Sequence, residues 1–220
     1  RHVTSFFNGK QVAPYPGEDR ILVPSTTLTE DQKPEMSARE VTELAVVAIR
    51  DGITAVRRRT AATPGCEIEI EPSRELPVER GLDTYDLIVL NYANGDMVGH
   101  TGVLESAVLA VQTVDICLAR ILPVIEKLGG AAIITADHGN ADEMFERDKK
   151  TKQVKRGKDG RIAAKTSHTL NHVPFHLFAP GYDLRISEAL ANPGLANVAA
   201  TTFHLLGWKA PDDYEPSILG

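Results

Sequence analysis

The sequence has only two cysteines, Cys66 and Cys117, in 220 residues, too few for the disulfide framework that staples small secreted domains. Cys117 falls within a helical pattern, where a small buried hydrophobe is its expected role, and the pair is expected to stay reduced in a cytosol. No apolar run approaches the roughly 20 residues that span a bilayer, so no membrane partner is expected. Basic charge is not in excess either: 24 Lys and Arg against 30 Asp and Glu leave a net charge of -6, which argues against a general nucleic-acid binder. Internal repeats, low-complexity tracts and a signal-peptide pattern are absent. The chain opens on Arg1 rather than Met, and it is expected to be cut from something longer.

What is present is ordinary globular material. With 42% hydrophobic and 25% charged residues, disorder and fibrous classes drop out, and the length predicts a single domain over residues 1–220 of α/β class. After an opening strand, Asn8-Gly9 and Pro14, Pro16 and Gly17 predict an irregular loop leading to a short apolar run at Ile21-Leu22-Val23. Ser37-Ala38-Arg39-Glu40 reads as a capping box that starts a helix, and Gly52 as its stop. Glu67 to Glu71 alternates like an exposed edge strand, and Arg57-Arg58-Arg59 like a solvated face.

The pattern sharpens at Asp86 to Tyr92, a β-prone run of the kind covered on both faces. A long helix with one apolar stripe follows, running from Leu104 to Leu128, bent near Pro123 and ended by Gly129-Gly130. Ala131 to Ala136 is the next strand, so residues 86–136 read as β-α-β with parallel strands. Residues 146–165 carry nine basic against three acidic side chains and predict a protruding loop or hairpin on the surface. Val173 to Phe178 begins another strand, and Asn197 to Leu206 a terminal helix stopped by Gly207.

Chemistry concentrates in three places: Asp96 with His100, Asp137 with His138, and His168. A four-residue separation puts Asp96 and His100 on one face of a helical turn, and Asp137-His138 follows a predicted strand end, where α/β sheets bind ligands. One Asp/His pair alone reads as a helix cap and a surface histidine, but two at strand ends favour joint metal binding. Mixed carboxylate and imidazole donors suit manganese, zinc, cobalt or iron better than magnesium or calcium. Two such ions about 4 Å apart would clamp the oxygens of a phosphoryl transfer, which points to a phosphate ester as substrate.

Three segments then resemble the metal-site motifs of the cofactor-independent phosphoglycerate mutases of the alkaline phosphatase superfamily: Asn91 to Gly102, Thr135 to Met144, and His168 to Phe175. His2-Val3-Thr4 with Phe7-Asn8-Gly9, and Pro16 to Arg20 with Pro34 to Ser37, are similar too. The resemblance implies an alkaline phosphatase-like three-layer sandwich, with a mostly parallel central sheet flanked by helices. It implies that Asp96, His100 and His168 hold one divalent ion and that Asp137 and His138 help hold a second. Manganese is the expected metal, with zinc, cobalt or magnesium as alternatives.

The implied activity is glycolytic interconversion of 3- and 2-phosphoglycerate through a phosphoserine, in the cytoplasm, by a protein that is a monomer at full length. The nucleophilic Ser is expected upstream of this chain, so no catalytic nucleophile and no substrate-binding residue is assigned within it. The isolated chain is expected to be inactive as a mutase and to self-associate. Residues 53–82 look like an insertion, and Gly95 and His172 depart from the family pattern. Another phosphotransferase or hydrolase of the superfamily, or a non-catalytic metal-binding module, stands as the alternative.

Overall fold

In the computed structural model of the chain, residues 7–11, 13–61, 68–71 and 84–220 are described. The opening strand before Phe7, His2-Val3-Thr4, Cys66 and residues 62–67 and 72–82 of the expected insertion lie outside them. The chain forms two compact units, one of residues 1–121 and 139–170 and the other of residues 122–138 and 171–220.

The first unit begins with β1 (Arg20–Leu22), which pairs antiparallel with β2 (Glu69–Glu71) in the register Ile21 to Ile70. Upstream of β1 the loop is closed by a carboxylate: Glu18 accepts from the Asn8 amide at 2.8 and 2.9 Å, from the Tyr15 N–H at 2.8 Å and from Arg20 Nε at 2.5 Å. Burial works against ionisation of Glu18, yet these donors outweigh it and hold its carboxyl below the usual range. A buried guanidinium is thereby paired, as burial of charge requires.

Helix α1 (Ala38–Ala61) starts where the sequence predicts, but not by a capping box. The Ser37 hydroxyl donates to the Pro24 carbonyl at 2.8 Å, and helix entry is made instead by the Val41 N–H bonding the Ser37 carbonyl. Gly52 breaks the helix as expected: its φ of 77° is non-helical, and a second helical stretch runs on to Ala61. Leu44, Val47, Ala48 and Val56 form a core, with Ile21, Val23 and Tyr85 packed against it. The arginine run is engaged with acids, Arg57 with Asp19 at 3.8 Å and Arg59 with Glu43 at 2.9 Å.

Helix α2 (Asn94–Gly99) and helix α3 (Leu104–Lys127) follow. Val98 of α2, Ala107 and Ala110 of α3, and Met144 make a second core. Asn94, 2% exposed, ties α2 down by donating to the Pro34 and Glu35 carbonyls at 2.9 and 3.0 Å. Asp86 to Tyr92 departs from expectation: among the described residues it forms no strand, and Leu87, Ile88, Val89 and Leu90 are exposed. A strand exists only with a partner to bond, so β propensity alone did not make one.

The anchor at the end of that segment is polar. The Thr42 hydroxyl donates to the Ala38 carbonyl at 2.6 Å, leaving its oxygen to accept from the Tyr92 phenol, also at 2.6 Å. Burial pushes that phenol's pKa up to about 12. Free Cys117 is buried, with its thiol 3.6 Å from the Ala38 carbonyl, as its place in the helical pattern predicts.

Leu104, Val108, Leu109, Val111 and Ile116 of α3 stand exposed. By length and composition α3 could cross a membrane, since its most apolar 18-residue window has mean hydropathy 1.9 and is 17% buried. The helix still contains no uninterrupted apolar run of that length. Gln112, Asp115 and Arg120 interrupt the run without lowering its average enough to exclude it.

In the second unit, α3 ends in a Schellman turn: Gly129 takes φ 67° and the Gly130 N–H reaches the Ile125 carbonyl at 2.9 Å, as the glycine pair predicts. Then β3 (Ala132–Thr135) pairs antiparallel with β4 (Phe175–Phe178), Ile133 opposite Leu177. Among the described residues the partner of β3 is this antiparallel strand, and the expected parallel pairing with 86–92 is not formed. Helix α4 (Asn197–Leu205) ends at Gly207, again with a six-residue bond from the Trp208 N–H to the Phe203 carbonyl. The α/β class stands.

Candidate metal centre

Helix α2 is six residues long, and His100 caps its C-terminus with helical φ and ψ. Asp96 and His100 are thus one turn apart, as their spacing requires, and His100 Nε2 lies 3.1 Å from Asp96 Oδ1. Gly102, at φ 73°, ends the turn, and Ala164 stands where its side chain would be. His168 arrives from the other side of the loop that follows, with Nε2 3.2 Å from Asp96 Oδ1 and 3.2 Å from His100 Nε2.

Three donor atoms therefore form a triangle with every side between 3.1 and 3.2 Å. Ligand bonds of about 2.0–2.2 Å place neighbouring donors around an ion roughly 3.0–3.5 Å apart, so the triangle has the dimensions of one face of a coordination shell. The tautomer agrees. His100 Nδ1 lies 2.7 Å from the Thr166 carbonyl, which can only accept, so this nitrogen carries the proton. In a neutral ring Nε2 is then a bare lone pair. A lone pair facing a carboxylate oxygen and a second imidazole nitrogen is an arrangement that a cation would suit, and a backbone carbonyl on the far ring nitrogen is the usual partner of a metal-binding histidine. Asp96 and His168 also belong to a set of described donors close enough together for an ion.

The supporting contacts come from residues the sequence reading did not assign. Asn140, 4% exposed, donates through Nδ2 to Asp96 Oδ1 at 2.7 Å and to the Asp96 carbonyl at 3.1 Å. Its own Oδ1 is buried with no hydrogen-bonding partner among the described residues, a cost of about 1–3 kcal/mol. Next to His168, Thr169 donates its hydroxyl to the Asp142 carboxylate at 3.0 and 3.2 Å and its N–H to the Gly139 carbonyl at 2.9 Å. Gly139 has to be glycine, since a Cβ there would collide with Thr169 and Asp142. Asn140 and Asp142 lie within the Thr135 to Met144 motif, so the sequence marks the residues but not what they touch.

Beyond this cluster, Lys165 bonds Glu143 at 2.8 Å. The Lys165 ammonium holds the Glu143 carboxyl below its usual range. The basic segment folds as the sequence predicts: bridges join Phe145 to Ala164, Arg147 to Val154 and Arg156 to Ile162, giving three short segments of hairpin. In the other unit, His138 Nε2 lies 3.7 Å from Oδ1 of Asp137, whose side chain is 88% exposed.

Comparison with known proteins places these observations in a family. The model of the Metalloenzyme superfamily matches residues 1–58 and 78–210, and the gap falls inside the segment read as an insertion. A 2,3-bisphosphoglycerate-independent phosphoglycerate mutase of Trypanosoma brucei brucei is 38% identical over 99% of this chain and 34% of its own. One from Thermomicrobium roseum is 42% identical over 96% of this chain and 33% of its own. A crystal structure of Leishmania mexicana phosphoglycerate mutase at low cobalt concentration superposes with a TM-score of 0.77 and 34% identity. It covers all of this chain and 35% of that one. The chain spans about a third of the length of the curated relatives it matches.

Proposed function

The chain belongs to the metalloenzyme superfamily, and on that premise we propose that it is the C-terminal, metal-binding part of a cofactor-independent phosphoglycerate mutase. Residues 1–220 are read as one portion of a phosphatase-like domain, working in the cytoplasm in glycolysis. The observation that carries the reading is the triangle of Asp96 Oδ1, His100 Nε2 and His168 Nε2. Likeness to the named mutases over nearly the whole chain supports it.

In this reading Asp96, His100 and His168 hold one divalent ion, and Asp137 and His138 contribute to a second. The donor set favours manganese, with zinc or cobalt next. Bound ions of this kind neutralise and align a phosphoryl group between attacking and leaving oxygens. The chain's own residues keep that position ordered: Thr166 fixes the His100 ring, Thr169 and Asp142 hold the backbone beside His168, and Gly139 leaves room for both. With half of the His168 side chain exposed, at 49%, the triangle is open to a ligand. The phosphoryl group passes from O3 of 3-phosphoglycerate to a serine hydroxyl in the remainder of the protein. It then passes from that serine to O2, so each new phosphorus–oxygen bond forms as the old one breaks, the serine proton ending on O3 in the first transfer and the O2 proton returning to the serine in the second. The bare segment 86–91 and the exposed face of α3 are read as surfaces that the remainder covers; alone, the chain is expected to self-associate through them.

Calorimetric titration with Mn²⁺ tests this. The 220-residue chain is expected to bind the ion, Asp96→Ala to lose that binding, and neither to convert 3- to 2-phosphoglycerate. Binding unchanged in Asp96→Ala would overturn the assignment of the site.

A further inference from the structure

Asn140 stands out among the buried polar residues because its two ends are treated unequally. Both hydrogens of its amide are used on one residue, Asp96: one on the carboxylate Oδ1 at 2.7 Å, the other on the backbone carbonyl at 3.1 Å. The amide oxygen has no hydrogen-bonding partner among the described residues and is shielded from solvent. Turning the amide over would place that oxygen against Asp96 Oδ1, two acceptors face to face, so the orientation is fixed by Asp96 alone.

The surroundings are built to admit this side chain. A Cβ on Gly99 would sit 2.5 Å from Asn140 Oδ1 and 2.8 Å from its Cγ, closer than any side chain tolerates. Glycine at 99 therefore makes the space that Asn140 occupies. The atom that Asn140 grips also faces both histidines, at 3.1 and 3.2 Å. A carboxylate oxygen has two lone-pair directions; Asn140 takes one, and the other is left toward the histidine nitrogens.

We propose that Asn140 is the positioning residue of the metal centre, clamping Asp96 through its backbone and its carboxylate so that Oδ1 offers one lone pair to the ion. The proposal rests on the reading of Asp96, His100 and His168 as ligands. Asn140 does not touch the ion; it sets the direction of the one anionic ligand of the triangle. Gly99 acts with it by keeping the amide within reach. Removing the clamp leaves three ligands in the sequence but frees the carboxylate to rotate.

The test uses the 220-residue chain, Mn²⁺ affinity by calorimetry, and the visible spectrum of the Co²⁺-loaded protein, which reports ligand geometry in the folded fraction alone. Asn140→Ala is expected to weaken Mn²⁺ binding roughly 10- to 100-fold, the range for loss of a ligand's hydrogen-bonding partner, and to change the Co²⁺ spectrum. Asn140→Asp, which keeps the shape but has no amide hydrogens, is expected to do the same. If the parent binds Mn²⁺, Asp96→Ala abolishes binding, and both Asn140 variants retain parental affinity and spectrum, the proposal falls while the ligand assignment stands. If Asp96→Ala binds like the parent, the ligand assignment itself falls, and this proposal with it. Should Asn140→Ala not fold, Asn140→Asp decides by the same two readings.

Discussion

The candidate metal triangle and the segment from Asp86 to Asn91 belong to the same unit, yet they are built oppositely. Around Asp96 the candidate ligands sit among polar contacts: Asn140 bonds the aspartate, Thr166 bonds His100, and Thr169, next to His168, bonds Asp142. The β-prone segment has no strand partner among the described residues, and four consecutive apolar side chains are exposed. Polar contacts between nearby loops need only groups that this chain itself supplies. A sheet strand needs ladder bonds and facing side chains from a neighbouring strand, which β1 and β2 give each other, as do β3 and β4, but which the run at 86–91 lacks among the described residues.

The largest effect that would break this comparison is on stability. Leu44→Ala, in the packed core of α1, is expected to cost about 2–5 kcal/mol, whereas Leu109→Ser, on the bare face of α3, should stay within about 0.5 kcal/mol of the parent. Denaturant unfolding of the two variants measures both; equal losses would mean that the α3 face is already packed. A smaller effect concerns Tyr92, where the bare segment becomes anchored. Its phenol is held neutral, so its contribution is complete below the unfolded value near 10 and is lost as pH rises from there through about 12. Ultraviolet titration should show one tyrosine ionising late, and Tyr92→Phe should remove that late step and the associated alkaline loss of stability.

The smallest expected effect lies on the flank of the candidate metal centre. Glu143 is depressed by Lys165, so the pair stabilises the fold above the ordinary carboxylate range and is lost as pH falls through the folded value. Because the pair is partly exposed, Glu143→Gln should cost at most about 1 kcal/mol near neutral pH. In acid, chemical denaturation of variant and parent should converge.

Helix ends were the most readable part of this sequence, because their determinants are local. Gly129-Gly130 and Gly207 end their helices with the bonds their glycines predict, and Gly52 interrupts α1. Ser37 shows how far that reading reaches: the helix begins on schedule, but the hydroxyl finds Pro24, 13 residues away in sequence, rather than its own helix. The candidate ligands were visible as Asp and His types at telling spacings. The partner of β3 was not, since the choice of Phe175 to Phe178 crosses about 40 residues of chain and leaves no local mark in either strand. Asn140 was visible as a letter in a motif and invisible as a clamp, because its contact to Asp96 crosses 44 residues.

The close fit of Asn140 against Gly99 carries a consequence for the history of such chains. Neither position can drift alone: alanine at 99 evicts the amide, and a smaller residue at 140 leaves a void that glycine no longer serves. Across divergent sequences the two positions should therefore change together or not at all. A lineage that has exchanged both marks a branch where the aspartate is steered by some other group.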